Sequence, residues 1–319
     1  MLAKLHLKKR YDLIHVHSVP DFEVVAALLP KLLGAKVILD IHDIVPEFYA
    51  SKFRVNPDSL TFKALVLVER ISARLADRVI ISNHLWYNKI VSRSVAAEKC
   101  STILNYPDPT AFRMRRIVVR EGKARDKLIL LYPGTFGWHQ GLDVAIRAFS
   151  IIAERAGGVD FHIYGDGSEK GKIQDLIAGL RIGDRVFLMN SVPHSKIGDV
   201  MACADIGVVP KRNNMFAGEA FSTKILEFMA VGVPVIVSET AIDRFYFNHS
   251  IVHFFKPEDE NDLARAMLSL IENREARESL AARASEFVRQ YTWDKKKEMY
   301  LTLVDSLIGK SQAPRLPVP

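Results

Sequence analysis

Ten short apolar runs alternate with helical patterns along this chain, and this alternation limits the possible folds more than any other feature. Such alternation is typical of parallel sheets in which a helix connects each strand to the next. The sequence therefore predicts an α/β fold. The predicted strands are 12–17, 36–41, 78–82, 101–104, 128–132, 159–164, 185–188, 206–209, 233–237 and 251–254, and clear helical patterns cover 142–156, 195–203, 223–231 and 260–271.

The predicted strands form a set of four and a set of six, separated by the charged segment 113–126, RMRRIVVREGKARD. We predict one domain over 1–118 and a second over 119–292. Six strands with their helices make a complete doubly wound domain, whereas four make an incomplete one. Because the chain opens on a helix followed by YDLIHVH, we expect the first domain to be truncated, without its opening elements. The final residues 311–319 read as a disordered tail.

Composition argues against a disordered chain, a membrane-spanning protein and a disulfide-rich protein. Hydrophobic residues make up 49% and charged residues 25% of the 319 residues, which is typical of a globular chain. No apolar run approaches the ~20 residues of a membrane-spanning helix. The two cysteines do not form a disulfide framework, so we expect a reducing, cytoplasmic compartment.

The net charge of +7 is concentrated in the first part of the chain, where residues 1–125 hold 21 Lys and Arg against 12 Asp and Glu. A basic half favours an anionic partner. We expect no nucleic acid, since the usual recognition motifs are missing. An anionic membrane surface, a phosphorylated lipid or a solvated basic face remain open.

The segment 217–238, AGEAFSTKILEFMAVGVPVIVS, carries the strongest functional signal. Ser222 or Thr223 is suited to cap a helix that ends at Gly232 before a buried strand. Unpaired amides at such a helix start suit a diphosphate. Glu219 before the helix and Glu227 one turn inside it offer acceptors for sugar hydroxyls.

This segment resembles the E-x7-E signature of glycosyltransferase family 4. The resemblance implies the GT-B fold, with two Rossmann-like domains facing a cleft and a nucleotide-sugar donor on the C-terminal one. It also implies that Glu219 contacts hydroxyls of the donor sugar as a catalytic residue and that Glu227 binds ribose. Residues 293–308 resemble the closing helix of this fold, and we assign 293–310 to a helix that returns to the first domain.

A strand, glycine loop and helix over 130–149, LLYPGTFGWHQGLDVAIRAF, resemble another segment of the family, with Gly134 beside the donor. The family places an Arg after this glycine and a Lys before the second one, Gly141. This chain has Thr135 and Gln140 there, which removes two cations from the expected diphosphate site.

Nearby cations can compensate for that loss. Lys211 and Arg212 follow a strand end, and Lys224 lies three residues before Glu227 on the same helix face. We predict that Lys224 takes this role and that Lys211 also contributes to donor binding. A plain surface pair between Lys224 and Glu227 is the alternative.

Further segments agree with the resemblance. HIYGDGSEKGKI, residues 162–173, resembles the family's strand and Gly-Asp-Gly turn and adds Gly165 to the expected donor site. Residues 185–211 match a segment that passes the nucleobase near Val192.

Three histidines of the first domain are considered for a functional role. ILDIHDIVPE, residues 38–47, matches the family's strand-x-x-H-D pattern, so the resemblance makes His42 a catalytic candidate that positions the donor sugar. His15 and His17 face one side of their strand, but no third ligand with suitable spacing follows. We therefore expect no metal and no cofactor.

The sequence thus predicts a retaining glycosyltransferase that moves a sugar to a hydroxyl of a lipid-linked or oligosaccharide acceptor, in polysaccharide or glycolipid synthesis. A non-catalytic nucleotide-sugar-binding subunit and a nucleotide-sugar epimerase are the alternatives. The segments 47–54 and 85–93 interleave aromatic and basic residues, which predicts peripheral binding to the inner face of the cell membrane. The competing explanation places these aromatic residues in the core.

Overall fold

The computed structural model describes residues 1–114 and 127–309. Most of the predicted linker 113–126, the predicted boundary after residue 118 and the predicted tail lie outside them. The chain divides into two compact units, Met1–Asn105 with Lys296–Pro319, and Tyr106–Lys295. This division comes earlier than the predicted boundary, because Phe112 already packs into the core of the second unit.

All ten predicted strands are present, and no end is shifted by more than two residues. The ninth strand starts only after Pro234, because proline has no N–H to donate to a sheet. The strands are β1 (Leu13–Ser18), β2 (Lys36–Ile41), β3 (Arg78–Ile81), β4 (Cys100–Thr102), β5 (Leu128–Pro133), β6 (Val159–Tyr164), β7 (Val186–Met189), β8 (Ile206–Val209), β9 (Val235–Ser238) and β10 (His253–Phe255).

Helices connect these strands, and the four helices predicted from their patterns are all present. The helices are α1 (Leu2–Lys8), α2 (Leu28–Leu32), α3 (Val45–Phe53), α4 (Leu60–Leu75), α5 (His84–Arg93), α6 (Leu142–Ile152), α7 (Lys170–Gly179), α8 (His194–Ala202), α9 (Thr223–Val231), α10 (Ala241–Tyr246), α11 (Glu260–Glu272), α12 (Arg274–Val288) and α13 (Trp293–Ile308).

The first unit is built on a four-stranded parallel sheet in the order β1-β2-β3-β4. Apolar side chains on both faces of β2 are buried, as expected for a strand covered on two sides. Helix α13 packs Leu303 against Ile38 of β2 and Ile80 of β3.

The second unit is built on a six-stranded parallel sheet in the order β10-β9-β8-β5-β6-β7. The chain runs outward from β5 through β6 to β7, and then returns to place β8 on the other side of β5. This is the doubly wound order, and its direction changes between β5 and β8. In such sheets ligands bind outside the carboxyl ends of the strands, near that change.

The two predicted membrane segments differ in their surroundings. None of the helices in the described ranges has both the length and the hydropathy needed to cross a membrane. Within 85–93, Trp86 is fully buried and Arg93 is held by Glu47 and Glu69, which favours the core explanation there. Within 47–54, the side chain of Phe53 is exposed beside Lys52.

Candidate functional site

A cavity of about 570 Å³ opens in the second unit at the carboxyl ends of β5, β6 and β7. The start of α9 forms part of its wall. Its lining residues combine glycine backbone, apolar surface and a few charged groups: Pro133, Gly134, Thr135, Tyr164, Gly165, Asp166, Ser191, Val192, His194, Ile197, Thr223, Lys224 and Glu227.

Two glycines form one wall of the cavity because their backbones pass in close contact. The N–H of Gly134 donates to the carbonyl of Tyr164 at 2.8 Å. A Cβ added to Gly165, whose φ is +151°, would overlap the carbonyl oxygen of Gly134. Only glycine at position 165 allows the two backbone segments to lie this close, so peptide groups and not side chains form this wall of the cavity.

Helix α9 begins at Thr223 and ends at Val231, and the following Gly232 caps it with a φ of +81°. Ser222 occupies the N-cap position, but the prediction of a side-chain cap is wrong, since the helix has no side-chain cap bond. The Ser222 hydroxyl is buried and has no hydrogen-bond partner among the described residues. The first turn of a helix leaves N–H groups without partners inside the helix, and these carry partial positive charge.

Lys224 brings a cation to the glycine wall. Its Nζ donates to Gln140 Oε1 at 3.1 Å and lies 5.7 Å from the ring centroid of Tyr132. Burial lowers the pKa of Lys224 to about 8, Glu227 opposes that shift, and Lys211 adds to it. Gln140, one of the departures from the family pattern, thus holds the lysine next to Gly134.

Glu227 is the half-buried carboxylate of the cavity. Burial raises its pKa, while Lys224, the hydroxyl of Thr223 and His194 act in the opposite direction. A carboxylate in this position accepts hydrogen bonds through two oxygens. The cavity therefore places an acceptor group and a cation on one helix, three residues apart.

Three charged side chains that were predicted near the donor lie outside the lining of the cavity, as does Ser222, as far as the described residues show. Lys211 is almost fully buried, with Nζ 2.9 Å from Asp243 Oδ2, and it donates to the carbonyl of Ala220 at 2.6 Å. Arg212 pairs with Asp143 and Glu258. Glu219 lies in the turn before α9, where its N–H donates to the Phe216 carbonyl.

An acidic residue and a histidine that were not among the predicted site residues also line the cavity. Asp166 follows Gly165, and its carboxylate accepts from the N–H of Gly167 at 2.8 Å. His194 is the first residue of α8, and its charge acts on Glu227. Both follow the carboxyl end of a strand, Asp166 two residues after the end of β6 and His194 five residues after the end of β7, and this position is the sequence signal that could have indicated them.

His42 lies in the first unit, just after β2, beside histidines of β1. Its Nε2 is 3.2 Å from His17 Nδ1 and 3.6 Å from Asp40 Oδ2. Sequence spacing gave no third side chain beside His15 and His17, and in the fold Asp40 on the neighbouring strand lies within 3.3 Å of both. Spacing along one strand does not reveal a partner that comes from the next strand.

Comparison with known proteins identifies the family. Residues 114–287 match the model of the glycosyl transferases group 1 family. The chain belongs to that family. Residues 1–105 also match the glycosyl transferase 4-like domain, so the predicted resemblance to family 4 is confirmed.

Solved structures of other proteins share the fold of this group 1 chain. Sucrose-phosphate synthase from Thermosynechococcus elongatus aligns with a TM-score of 0.78 at 20% identity, over 97% of this chain and 76% of that one. Anabaena HepE in complex with UDP and glucose aligns with a TM-score of 0.76 at 17% identity, over 95% and 80%. The predicted GT-B fold with two Rossmann-like domains is confirmed.

Curated relatives of this group 1 chain are distant in sequence. The GPI3 subunit of phosphatidylinositol N-acetylglucosaminyltransferase from Saccharomyces cerevisiae is 24% identical over 75% of this chain and 50% of its own length. The N-acetyl-alpha-D-glucosaminyl L-malate synthase of Bacillus anthracis is 21% identical over 95% and 76%. The chain thus spans only about half the length of the first of these relatives.

Proposed function

We propose that this chain transfers a sugar from a nucleotide-diphosphate donor to a hydroxyl acceptor with retention at the anomeric carbon. One observation carries the proposal. Lys224 and Glu227 both line the cavity at the start of α9, where glycine backbone forms the other wall. A cation and unpaired amides suit a diphosphate, and a carboxylate suits ribose hydroxyls.

The donor is held by groups with separate tasks. The diphosphate lies at the first turn of α9, by Ser222 and Thr223, with Lys224 and the backbone of Gly134 and Thr135 beside it. Glu227 accepts from the ribose, and the backbone at Gly165 passes beside the base and sugar. HepE, which shares the fold, was solved with UDP and with UDP-glucose, and this supports a nucleotide-sugar donor for this chain.

Retention needs no side chain that acts as a general base. The leaving diphosphate takes the acceptor proton on the same face, while Lys224 and the helix start stabilise its growing charge. Glu219 positions the donor sugar, and His42 stays a catalytic candidate through the family resemblance. Lys211 contributes indirectly. Its hydrogen bond to the carbonyl of Ala220 fixes the segment that leads into α9. This step requires no metal ion.

The acceptor is a lipid-linked sugar or an oligosaccharide, in polysaccharide or glycolipid synthesis. The names of two relatives support this class: the GPI3 subunit mentioned above, and the amylovoran biosynthesis glycosyltransferase AmsK of Erwinia amylovora. We place the protein in the cytoplasm, peripheral on the inner face of the membrane.

A non-catalytic nucleotide-sugar-binding subunit is the second candidate. Thr135 and Gln140 favour it, since they stand where the family has Arg and Lys, and one lysine replaces two cations. Binding of a nucleoside diphosphate without any transfer or donor hydrolysis would support this candidate over the first.

Substitution of the two glutamates separates their tasks. Glu227→Ala is expected to weaken UDP or GDP binding by about 1–2 kcal/mol, because the ribose loses a charged acceptor. Glu219→Ala should lower sugar transfer much more than binding of the bare nucleotide. Titration calorimetry and a donor-hydrolysis assay measure the two effects, with the exposed Glu278→Ala as control. If both variants bind UDP and GDP as the parent does, the assignment fails.

Peripheral membrane binding makes a separate prediction. The chain should sediment with vesicles that contain anionic lipid, and binding should fade as salt rises, because exposed basic groups drive it. Phe53→Ser should weaken binding, whereas Phe245→Ser, an equally exposed residue of the second unit, should not. An absence of binding at low salt contradicts the membrane proposal and leaves the donor site untouched.

A further inference from the structure

Another cavity, of about 520 Å³, lies in the first unit where helices α4 and α5 end. Helix α4 leads into β3 and helix α5 leads into β4, so the cavity is at the amino ends of these strands. His42 follows the carboxyl end of the neighbouring strand β2 and is therefore at the opposite side of the sheet. We call this space the basic cavity, and its lining residues are Arg70, Ala73, Arg74, Val91, Ser92, Arg93, Ser94, Val95, Ala96 and Lys99.

The lining of the basic cavity has a strong positive charge. Four of its ten residues are basic, two are serines and none is acidic. One basic residue, Arg93, is neutralised, since Glu47 and Glu69 each approach its guanidinium to 2.6 Å. The other three form no ion pair within the described ranges, and the positive charge of the cavity therefore belongs to Arg70, Arg74 and Lys99.

Hydrogen bonds to the backbone hold two of these cations in place. Arg70 Nε donates to the carbonyl of Arg93 at 2.9 Å, and Lys99 Nζ donates to the carbonyl of Ala76 at 2.9 Å. A guanidinium has five N–H donors and an ammonium has three, so each side chain keeps donors for a ligand. Arg74 is exposed and makes no hydrogen bond to any residue that the structure describes.

The positions of these cations have a second possible cause. Basic side chains are favourable at the carboxyl ends of helices, which carry partial negative charge, and α4 and α5 both end here. The bonds of Arg70 and Lys99 to backbone carbonyls satisfy that role with one donor each. It does not require a cavity of this size between the cations, and it leaves the other donors without an acceptor.

The chemistry of the lining indicates which anion fits. A phosphate monoester carries about −1.5 to −2 charges at pH 7 and has three acceptor oxygens, which match three cations. The apolar part of the lining includes the buried Ala73 and Val95 and the half-buried Val91. These side chains offer a contact for a small apolar group that carries the phosphate.

We propose that the basic cavity binds a phosphate monoester with a small apolar group attached to it. Arg70, Arg74 and Lys99 bind the phosphate, and the apolar side chains contact the rest of the ligand. All lining residues belong to the first unit, so the site is separate from the donor cavity of the second unit and does not depend on the proposed function.

Titration calorimetry of the full chain tests the proposal, with phenyl phosphate as the probe and phenol as its counterpart without phosphate. Phenyl phosphate should bind saturably and phenol should not. Affinity should fall as salt rises, because salt screens charges that are open to solvent. Arg74→Gln should weaken binding of phenyl phosphate about 3–10-fold, since it removes a charged hydrogen-bond donor from an exposed position.

Two further variants provide controls. Lys63→Gln removes an exposed positive charge from the same helix, outside the basic cavity, and should bind phenyl phosphate as the parent does. Lys224→Ala, in the donor cavity, should also bind it as the parent does, whereas Arg74→Gln should leave UDP binding unchanged. A loss in Lys224→Ala with none in Arg74→Gln would place the probe in the donor cavity and overturn the proposal.

A phosphate monoester can come from a soluble molecule or from a lipid headgroup, and vesicles distinguish these sources. Vesicles that contain phosphatidic acid, a monoester, are compared with vesicles of phosphatidylglycerol, a diester, at equal surface charge. A preference for phosphatidic acid that Arg74→Gln removes identifies a lipid, and binding of phenyl phosphate without that preference identifies a soluble ligand. The proposal is overturned if phenyl phosphate does not bind to the parent, or if Arg74→Gln and Lys63→Gln change its affinity equally.

Discussion

Asp243→Asn is expected to lower the free energy of unfolding by about 3–5 kcal/mol, because it leaves the Lys211 ammonium buried without its counter-charge. The two side chains are 2.9 Å apart and almost fully buried. Burial lowers the pKa of Lys211 and raises that of Asp243, and each charge opposes the shift of the other. Denaturant unfolding of the parent and the variant measures the loss.

A surface pair provides the control for this prediction. Glu239 and Arg244 lie 2.7 Å apart but are substantially exposed, so Glu239→Gln should cost less than about 1 kcal/mol. Replacing both buried partners together, with Lys211→Met and Asp243→Leu, should restore most of the stability, since no lone charge remains. Equal losses of unfolding free energy in Asp243→Asn and Glu239→Gln would mean that the buried pair matters no more for stability than an exposed pair does.

Lys224→Ala is expected to weaken binding of a nucleoside diphosphate by about 1.5–3 kcal/mol, which is the range for a hydrogen bond to a charged group. Binding of the matching nucleoside, which has no phosphate, should change little. Calorimetric titration with UDP and uridine, and with GDP and guanosine, measures the difference. Lys172→Ala removes the same charge from a side chain that is 77% exposed, and it should leave both affinities unchanged.

The same lysine predicts a pH dependence. Burial lowers the pKa of Lys224 to about 8, so the ammonium is present below that pH and is lost above it. Affinity for a diphosphate should therefore be highest below about pH 8 and fall as pH rises through it, whereas a terminal phosphate is already ionised above about pH 7. The slope should disappear in Lys224→Ala. If Lys224→Ala weakened binding of the nucleoside and of the nucleoside diphosphate equally, Lys224 would support the fold instead of binding the diphosphate.

Much of the fold was predictable because local patterns determine it. Buried parallel strands read as short apolar runs, and each of the ten appears where its run predicts it. Helix α9 matches its predicted ends, since Gly232 adopts the left-handed conformation that closes it. The predicted positions of Lys224 and Glu227 on one face follow from the helical repeat alone.

The rest depends on residues that are distant in sequence. Lys211 turns inward to Asp243, and no local pattern announces a pair 32 residues apart. Gln140 reads as the loss of a cation, yet in the fold it holds Lys224 by a hydrogen bond. Asp40 joins His15 only because β1 and β2 pair in parallel. Such contacts depend on which strands pair and in which register. The hydrophobic periodicity of the sequence does not give that information.

The proposed function depends on binding of a nucleoside diphosphate in the cavity at the start of α9. Titration calorimetry of the full chain with UDP and GDP, next to uridine and guanosine, tests it most directly. We expect saturable binding of at least one diphosphate, stronger than binding of its nucleoside, and weaker binding after Glu227→Ala or Lys224→Ala. Failure to bind either diphosphate, or equal binding by the parent and both variants, would contradict it.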